Sequence, residues 1–388
     1  MSCTSYKILA PVTFGAGATA ETGNVCVSLG SKKILVVTEK ALVNLGLVKK
    51  VTDSLEAAGL EYQIFDECVQ DTPDYVVDAG GKAAKAMGAD TIVGVGGGSS
   101  LDTAKAVSVL VGSGMTIEEM LIPGPPKDNP KLITVMVPTT SGTGSESTQI
   151  GVVNDTTRKC KTGVGCIPDA AIVDPELTVG LPRGITVYTG LDAFSHAVEV
   201  LCSGGMDNPH SDVLAYDAIE RIIKWLPVAV EDINNLEARE NLAIASNFAG
   251  VAFADAIVNL GHGMAHAMGT LFHIPHGVAC AWSTPVVLEF MAPVCGEKYR
   301  KVAHAMGIDT TGKTGEECAK LCAAWQREFM KKLGVPNAQS YNLTKEDFVS
   351  CTDYMMNVEV MTMLGKRVPT RDDVVALLED AYEGCKNI

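Results

Sequence analysis

The sequence predicts a chain of class α/β plus all-α, with a doubly wound parallel sheet in its N-terminal half and helices alone in its C-terminal half. Two patterns predict this division. Short apolar runs rich in β-branched residues alternate with helix-like stretches in the first half, and after residues 181–184 the strand signals nearly stop. We therefore expect an α/β domain at residues 1–183 and a helical domain at residues 184–388.

The α/β domain is predicted from strand and helix patterns of ordinary length. The strand patterns occupy residues 33–38, 62–65, 91–95 and 132–137, and the helix patterns occupy residues 41–58, 75–87 and 101–111. Elements that alternate in this way form a parallel sheet covered by helices on both faces. A loop rich in proline and glycine, residues 123–130, precedes the last of these strands.

The helical domain is predicted from long amphipathic stretches. They occupy residues 186–202, 211–225, 236–256, 257–270, 285–290, 315–333 and 371–384. We find no internal repeat and no low-complexity linker between the two domains.

Composition excludes several classes of protein. The chain has 388 residues, of which 47% are hydrophobic and 20% charged, as in globular proteins, and its net charge of −15 disfavours nucleic-acid and membrane-surface partners. There is no signal-peptide pattern, and no uninterrupted apolar run reaches the roughly 18–20 residues that span a bilayer. The twelve cysteines are scattered, without a Cys-x-x-Cys pair, which is typical of thiols in a reducing cytosol. We expect a cytoplasmic protein.

A glycine-rich turn follows the third predicted strand. Gly96, Gly97 and Gly98 lie between this strand and a helix, so the backbone can approach a ligand closely, and the helix N-terminus offers unpaired N–H groups to a phosphate. Ser99 or Ser100 is a hydroxyl donor or a helix cap. The run fits neither Gly-x-Gly-x-x-Gly nor the P-loop. By itself it is equally consistent with a tight turn that binds nothing.

A second polar turn, Pro138-Thr-Thr-Ser-Gly-Thr-Gly-Ser-Glu146, follows the next strand and holds more hydroxyls than a turn requires. Two such loops at the carboxyl ends of parallel strands share one crevice, where open α/β sheets bind ligands. Together they predict a nucleotide site. Glu39, after the first predicted strand, is placed to accept hydrogen bonds from ribose hydroxyls and to repel a 2′-phosphate, or it is a solvated residue that opens a helix.

Four of the seven histidines fall within Gly261-His-Gly-Met-Ala-His-Ala-Met-Gly-Thr-Leu-Phe-His-Ile-Pro-His-Gly277. His262 and His266 are one helical turn apart and share a face. Upstream, Asp192 and His196 have the same spacing. One carboxylate and three imidazoles suit Fe²⁺ or Zn²⁺ and leave positions open for a substrate oxygen. The alternative is a set of hydrogen-bonded core histidines and helix caps.

Four motifs, in this order, resemble the signatures of the iron-dependent (group III) alcohol dehydrogenase family along nearly the whole chain. They are Gly96-Gly-Gly-Ser-Ser-Leu-Asp-Thr-Ala-Lys105, Pro138-Thr-Thr-Ser-Gly-Thr-Gly-Ser-Glu146, Gly190-Leu-Asp-Ala-Phe-Ser-His196, and His262-Gly-Met-Ala-His-Ala continuing to Pro-His-Gly277. The resemblance implies a dinucleotide-binding domain followed by a metal-binding domain. It implies that the metal ligands are Asp192, His196, His262 and His276.

The resemblance also assigns the cofactor. It implies NAD, with Glu39 accompanying a preference for NAD over NADP, and it places His266 near the nicotinamide, where it relays a proton. The implied cofactor-binding positions are Glu39, Gly97, Gly98, Ser99, Asp102, Thr140, Ser141, Thr143 and Lys161, the last with a neighbouring Lys159. His273 is kept outside the metal site, because His276 fits the Pro-His-Gly pattern better.

Two segments depart from the family. An Asn-Pro pair is replaced by Asp71-Thr-Pro73, and a C-terminal Asn-Pro-Arg survives only as Lys366-Arg-Val-Pro369. These departures leave the reaction in place but affect the choice of substrate.

The expected protein is a metal-dependent oxidoreductase that transfers a hydride between NAD(H) and a small alcohol or aldehyde, acting as an aldehyde reductase in vivo. Fe²⁺ is the expected metal, with Zn²⁺ possible, and the expected assembly is a homodimer or a larger homo-oligomer. Three alternatives stay open: an NAD- and zinc-dependent non-redox cyclase or lyase of the same fold, a transhydrogenase with a tightly held cofactor, and a non-catalytic binding protein. The sequence does not identify the substrate.

Overall fold

The computed structural model describes residues 6–122, 129–206, 208–386 and 388. The chain divides into two compact units, Ile8–Val179 and Gly180–Ile388, and Tyr6 and Lys7 cluster with the second. Most of the predicted loop at residues 123–130 lies outside the described residues.

The first unit is built on a six-stranded sheet in which every pair of neighbouring strands is parallel, in the order β1-β8-β5-β4-β2-β3. A separate antiparallel pair is formed by β6 and β7. The strands are β1 Val12–Phe14, β2 Lys33–Val37, β3 Glu61–Phe65, β4 Thr91–Gly96, β5 Ile133–Pro138, β6 Ile150–Asp155, β7 Cys160–Gly165 and β8 Ala170–Val173. The parallel sheet with helices confirms the predicted fold class.

The helices of this unit are α1 Thr22–Leu29, α2 Lys40–Asn44, α3 Leu47–Ala57, α4 Asp74–Met87, α5 Gly98–Ser113 and α6 Ile117–Met120. The single helix predicted at residues 41–58 is wrong, because α2 and α3 are separate. Gly46 divides them, in a left-handed conformation with φ of 74° that ordinary helical residues do not adopt.

Both faces of the parallel sheet are buried. In β2, Leu35 and Val37 belong to one apolar cluster, whereas Ile34 and Val36 belong to another. Alternate side chains of a strand point to opposite faces, so the sheet has a core on each side. This explains why the strand reads as a continuous apolar run.

The second unit is helical, as predicted. Its helices are α7 Arg183–Val200, α8 Pro209–Glu231, α9 Leu236–Asp255, α10 Leu260–Phe272, α11 His276–Ala305, α12 Gly315–Leu333, α13 Lys345–Ser350, α14 Thr352–Asn357 and α15 Arg371–Cys385. The short helix predicted at residues 285–290 is wrong, because α11 continues through Pro285 and Pro293. Each proline removes one backbone hydrogen bond, but most side chains of α11 are buried in the core, and this packing holds the element together.

Helix α11 is long and apolar enough, by length and composition, to cross a membrane. However, 83% of its most apolar window is buried inside the protein. That is the environment of a core helix, and α11 packs within the main apolar cluster of the helical unit. The eleven cysteines of the described part of the chain are all free thiols.

Candidate metal centre and nucleotide site

Three helices of the second unit carry the residues predicted to bind metal. Asp192 and His196 lie on α7, His262 lies on α10, and His276 is the first residue of α11. A side chain at Gly277 would place its Cβ 2.0 Å from the carbonyl oxygen of Tyr188 on α7. Only glycine therefore allows α11 to begin so close to α7, and this contact brings His276 beside Asp192.

The three predicted histidine ligands surround one carboxylate oxygen. Asp192 Oδ1 is 3.7 Å from Nε2 of His196, 3.6 Å from Nε2 of His262 and 3.5 Å from Nε2 of His276. These distances are too long for ordinary hydrogen bonds, and Oδ1 has no hydrogen-bond partner among the described residues. Ligands about 2.1 Å from a tetrahedral metal lie about 3.4 Å apart. Each nitrogen–oxygen spacing is therefore that of two ligands of one cation. Among the described residues, however, the donor atoms that all lie within 4.8 Å of one another are those of Asp192, His262, His276 and Cys280, a set without His196.

The charge of Asp192 also fits a cation. The residue is 3% exposed. Burial alone would raise its pKa, but the neighbouring histidines outweigh burial and hold the pKa well below its usual range. A buried carboxylate with an unused oxygen is costly unless a positive group compensates it. A bound cation supplies that compensation.

A second carboxylate, Glu199, supports this cluster and was given no role from the sequence. Its Oε1 accepts a hydrogen bond from Nδ1 of His262 at 2.6 Å, and its Oε2 accepts from the backbone N–H of Asn259 at 2.7 Å and of Gly261 at 3.2 Å. Glu199 is fully buried, and these partners outweigh burial and lower its pKa. In the neutral form of His262, Nδ1 donates to this carboxylate and Nε2 carries the lone pair that faces Asp192.

His266, the predicted proton relay, makes a similar pair one turn further along α10. Its Nδ1 lies 2.8 Å from Oε2 of Glu359, and both side chains are buried. Its ring centre is 5.5 Å from that of His276. Glu359 had no signal in the sequence, since it lies in an irregular segment far along the chain. His273 ends α10 in a left-handed conformation, with φ of 56°.

The two polar loops of the first unit lie next to each other. Gly97 caps α5 and Gly98 is its first residue. A Cβ on Gly97 would lie 3.4 Å from the side chain of Thr140, and a Cβ on Gly98 would lie 2.6 Å from that of Thr143. Because glycine has no side chain, the second loop can lie against the N-terminus of α5 at these two positions. Free N–H groups at a helix N-terminus attract phosphate.

A cavity of about 240 Å³ opens beside this helix N-terminus. It is lined by Glu39, residues 68–70 and residues 97–100. Glu39 is half-buried, and burial raises its pKa. The structure thus brings together Glu39 and the glycine-rich turn, which the sequence placed after two different strands.

The other predicted cofactor residues have contacts of their own. Both carboxylate oxygens of Asp102 accept internal hydrogen bonds, from the Ser145 hydroxyl at 2.7 Å and from the Val152 N–H at 3.0 Å. Ser141 is buried in the second loop. Lys161 lies in β7 with its Nζ 3.3 Å from Oδ1 of Asp71. Asp102 therefore joins α5 to the second loop and to β6.

Both units match the same family of known proteins. Residues 10–175 match the family described as iron-containing alcohol dehydrogenase, and residues 186–382 match the C-terminal part of the Fe-containing alcohol dehydrogenase family. The chain is 32% identical to the NAD-dependent methanol dehydrogenase of Bacillus methanolicus, over 97% of this chain and 100% of that protein. It is 34% identical to the sulfoacetaldehyde reductase of Bilophila wadsworthia (strain 3_1_6), over 96% and 97%.

A solved structure of a 1,3-propanediol oxidoreductase superposes with a TM-score of 0.92 at 32% identity, covering 98% of this chain and 100% of the other. The family resemblance seen in the four motifs is confirmed along the full length. The chain belongs to the iron-containing alcohol dehydrogenase family.

Proposed function

We propose that this protein is a metal-dependent oxidoreductase that transfers a hydride between NAD(H) and a small alcohol or aldehyde, and that it acts as an aldehyde reductase in vivo. One observation carries the proposal: Asp192 Oδ1 is buried and has no hydrogen-bond partner among the described residues, while Nε2 atoms of three histidines surround it at 3.5–3.7 Å. Family membership supports the same chemistry.

The residues proposed to hold the metal are Asp192, His196, His262 and His276. A divalent cation held there supplies Lewis-acid polarisation of an alcohol or carbonyl oxygen. The chain contributes a carboxylate that offsets the charge of the cation, and imidazoles whose orientation is fixed from behind, as by Glu199 at His262. Fe²⁺ is the proposed metal, with Zn²⁺ as the alternative that the same donors accept.

The residues proposed to move the proton are His266 and Glu359. Nδ1 of His266 is taken by the carboxylate of Glu359, which leaves Nε2 as the atom that holds or releases a proton. His266 is one turn from His262 and buried. It therefore has the proximity and the fixed orientation that a relay requires.

The nucleotide is proposed to bind in the first unit. The N-terminus of α5 and the hydroxyls of the second loop would hold the pyrophosphate, and Glu39 in the adjoining cavity would bind ribose hydroxyls and repel a 2′-phosphate. A bound nicotinamide supplies or accepts the hydride. The proposed cofactor residues remain those named from the sequence, with Asp102 acting through the loop that it anchors.

The test is an anaerobic assay of NADH oxidation against a panel of short aldehydes, some of them anionic, with metal-free protein reloaded with Fe²⁺ or Zn²⁺. Turnover should require the metal. His262→Ala should lose both metal and turnover yet still bind NADH in a fluorescence titration. Turnover by metal-free protein would refute the proposal. Hydride exchange between two substrates without added nucleotide would indicate a transhydrogenase, and product formation without net redox change would indicate a cyclase or lyase.

We also propose that the protein works in the cytoplasm as a homodimer or larger homo-oligomer, with no nucleic-acid or membrane partner. The net charge of −15 supports the absence of nucleic-acid and membrane-surface partners, and the free thiols of the described chain support a reducing compartment. The assembly is proposed from the family resemblance alone. Light scattering coupled to gel filtration measures the assembly directly, and a monomeric mass at micromolar concentration would contradict it.

A further inference from the structure

Cys280 lies one helical turn after His276 on α11, so the two side chains share a face. Its side chain is completely buried. The sulfur is 3.5 Å from Nε2 of His276 and 3.7 Å from Nε2 of His262. The donor atoms of these three residues and of Asp192 all lie within 4.8 Å of one another. The thiol therefore faces the proposed metal site.

Hydrogen bonds from the thiol do not explain this arrangement. A thiol has one proton and can donate it to one nitrogen, yet two Nε2 atoms lie at similar distances from this sulfur. In neutral His262, Nε2 has no proton to offer in return, because the single ring proton is on Nδ1, where Glu199 accepts it. Asp192, whose Oδ1 has no hydrogen-bond partner among the described residues, belongs to the same group.

The distances match those of a sulfur ligand. With a metal–sulfur bond of about 2.3 Å and a metal–nitrogen bond of about 2.1 Å, sulfur and nitrogen in a tetrahedral site are about 3.6 Å apart. The observed separations of 3.5 Å and 3.7 Å bracket that value. The nitrogen–oxygen separations from Asp192 to His262 and His276, 3.6 Å and 3.5 Å, fit in the same way, so one cation accounts for these four donors.

We propose that Cys280 is a further ligand of this cation. The site then has two overlapping donor sets that share Asp192, His262 and His276, one completed by Nε2 of His196 and the other by the sulfur of Cys280. On binding, the S–H bond breaks, its proton passes to solvent, and the sulfur coordinates as a thiolate. Thiolate is a soft ligand, so the site favours Zn²⁺ over Fe²⁺ more than a site of nitrogen and oxygen alone.

This inference rests on the proposed metal-dependent function, and the test separates the two. Metal-free full-length protein is titrated with Co²⁺ under anaerobic conditions, and its absorption is recorded from the near-ultraviolet to the visible. Variants Cys280→Ala and Cys280→Ser remove the sulfur, the second with little change of shape. Cys351→Ala is the matched control, since Cys351 is equally buried in the same unit but contacts the carbonyl of Asp347.

The expected result is a sulfur-to-cobalt charge-transfer band in the wild-type protein and in Cys351→Ala that both Cys280 variants lack. Competition titrations should also show Zn²⁺ affinity falling about tenfold or more in Cys280→Ala, since even the loss of an outer-shell partner changes metal affinity by about 10–100-fold. Fe²⁺ affinity should fall less, because thiolate is the softer ligand.

Each other outcome overturns the proposal. Visible cobalt bands without a charge-transfer band in the wild-type protein would remove Cys280 from the site and leave the metal-dependent function standing. A charge-transfer band that survives in both Cys280 variants would assign it to another thiol. Failure to bind Co²⁺ at all would refute the metal-dependent function together with the role of Cys280.

Discussion

Replacing Glu199 by Gln tests whether the metal site depends on the orientation of His262. Oε1 of Glu199 accepts a hydrogen bond from Nδ1 of His262 at 2.6 Å, and Oε2 accepts from three backbone N–H groups. Glutamine can keep an oxygen on the backbone donors, but its NH₂ group then faces Nδ1. His262 has to move its proton to Nε2 in order to accept from that group, and the protonated Nε2 cannot bind a cation.

The expected loss follows from this geometry. Removing an outer-shell partner of a histidine ligand costs about 10–100-fold in metal affinity. At about 1.4 kcal/mol per tenfold, that is about 1.4–2.8 kcal/mol of binding free energy. The metal-free variant should also unfold more easily, because one hydrogen bond to a charged group contributes about 1.5–3 kcal/mol to stability.

The assay is a chelator-competition titration with Zn²⁺, beside urea unfolding of the metal-free protein and ¹⁵N shifts of the His262 ring. Glu359→Gln is the matched control, since it changes the same kind of pair at His266, which is not a proposed ligand. The control should bind Zn²⁺ like the wild-type protein. Zn²⁺ affinity of folded Glu199→Gln within about twofold of wild type would refute the reasoning, because a reversed tautomer predicts at least tenfold.

Three further substitutions test the nucleotide site and the helix contact. Gly98→Ala puts a Cβ 2.6 Å from the Thr143 side chain, and such overpacking costs about 1–3 kcal/mol. The second loop must then shift away from α5, so NADH binding should weaken about tenfold in a fluorescence titration. Unchanged affinity would show that the pyrophosphate binds elsewhere. Glu39→Gln should raise NADPH use relative to NADH. Because burial raises the pKa of Glu39, its carboxylate gains a proton and stops repelling a 2′-phosphate as the pH falls. The wild-type preference for NADH over NADPH should therefore weaken with falling pH more steeply than in this variant, and parallel pH profiles would contradict this. Gly277→Ala puts a Cβ 2.0 Å from the Tyr188 carbonyl oxygen. The free energy of unfolding, measured in urea, should fall by at least about 1–3 kcal/mol. A variant as stable as the wild-type protein would contradict the close contact.

The fold could be predicted where the local pattern carries enough residues. Strand β2 was visible because a strand buried on both faces is a continuous apolar run. Strand β1 was missed because its three residues, Val12–Phe14, show no period, and β8 has only four. The antiparallel pair of β6 and β7 was missed because glycines interrupt its alternation. These strands are defined by their partners rather than by their own sequences.

The residues of the candidate site also fall into those that local spacing predicts and those that depend on distant partners. Asp192 with His196, and His262 with His266, were visible because a spacing of four residues places side chains on one helix face. The two supporting carboxylates, Glu199 and Glu359, were not. Glu199 lies 63 positions before His262, and their contact depends on how α7 packs beside α10. Glu359 lies 93 positions after His266. No periodicity links residues so far apart, so these partners could be found only in the folded chain.

The two histidine–carboxylate pairs on α10 show how one helix face supports two different roles. In each pair a buried carboxylate takes Nδ1, so only Nε2 is left for chemistry. The two histidines differ in what faces Nε2. Nε2 of His262 is 3.6 Å from Oδ1 of Asp192, which has no hydrogen-bond partner among the described residues, so His262 is proposed to bind the metal. His266 is proposed to relay a proton and not to bind the metal. The substitution His266→Gln should therefore lower turnover while metal content stays at the wild-type level. Joint loss of turnover and metal would make His266 a structural support of the metal site.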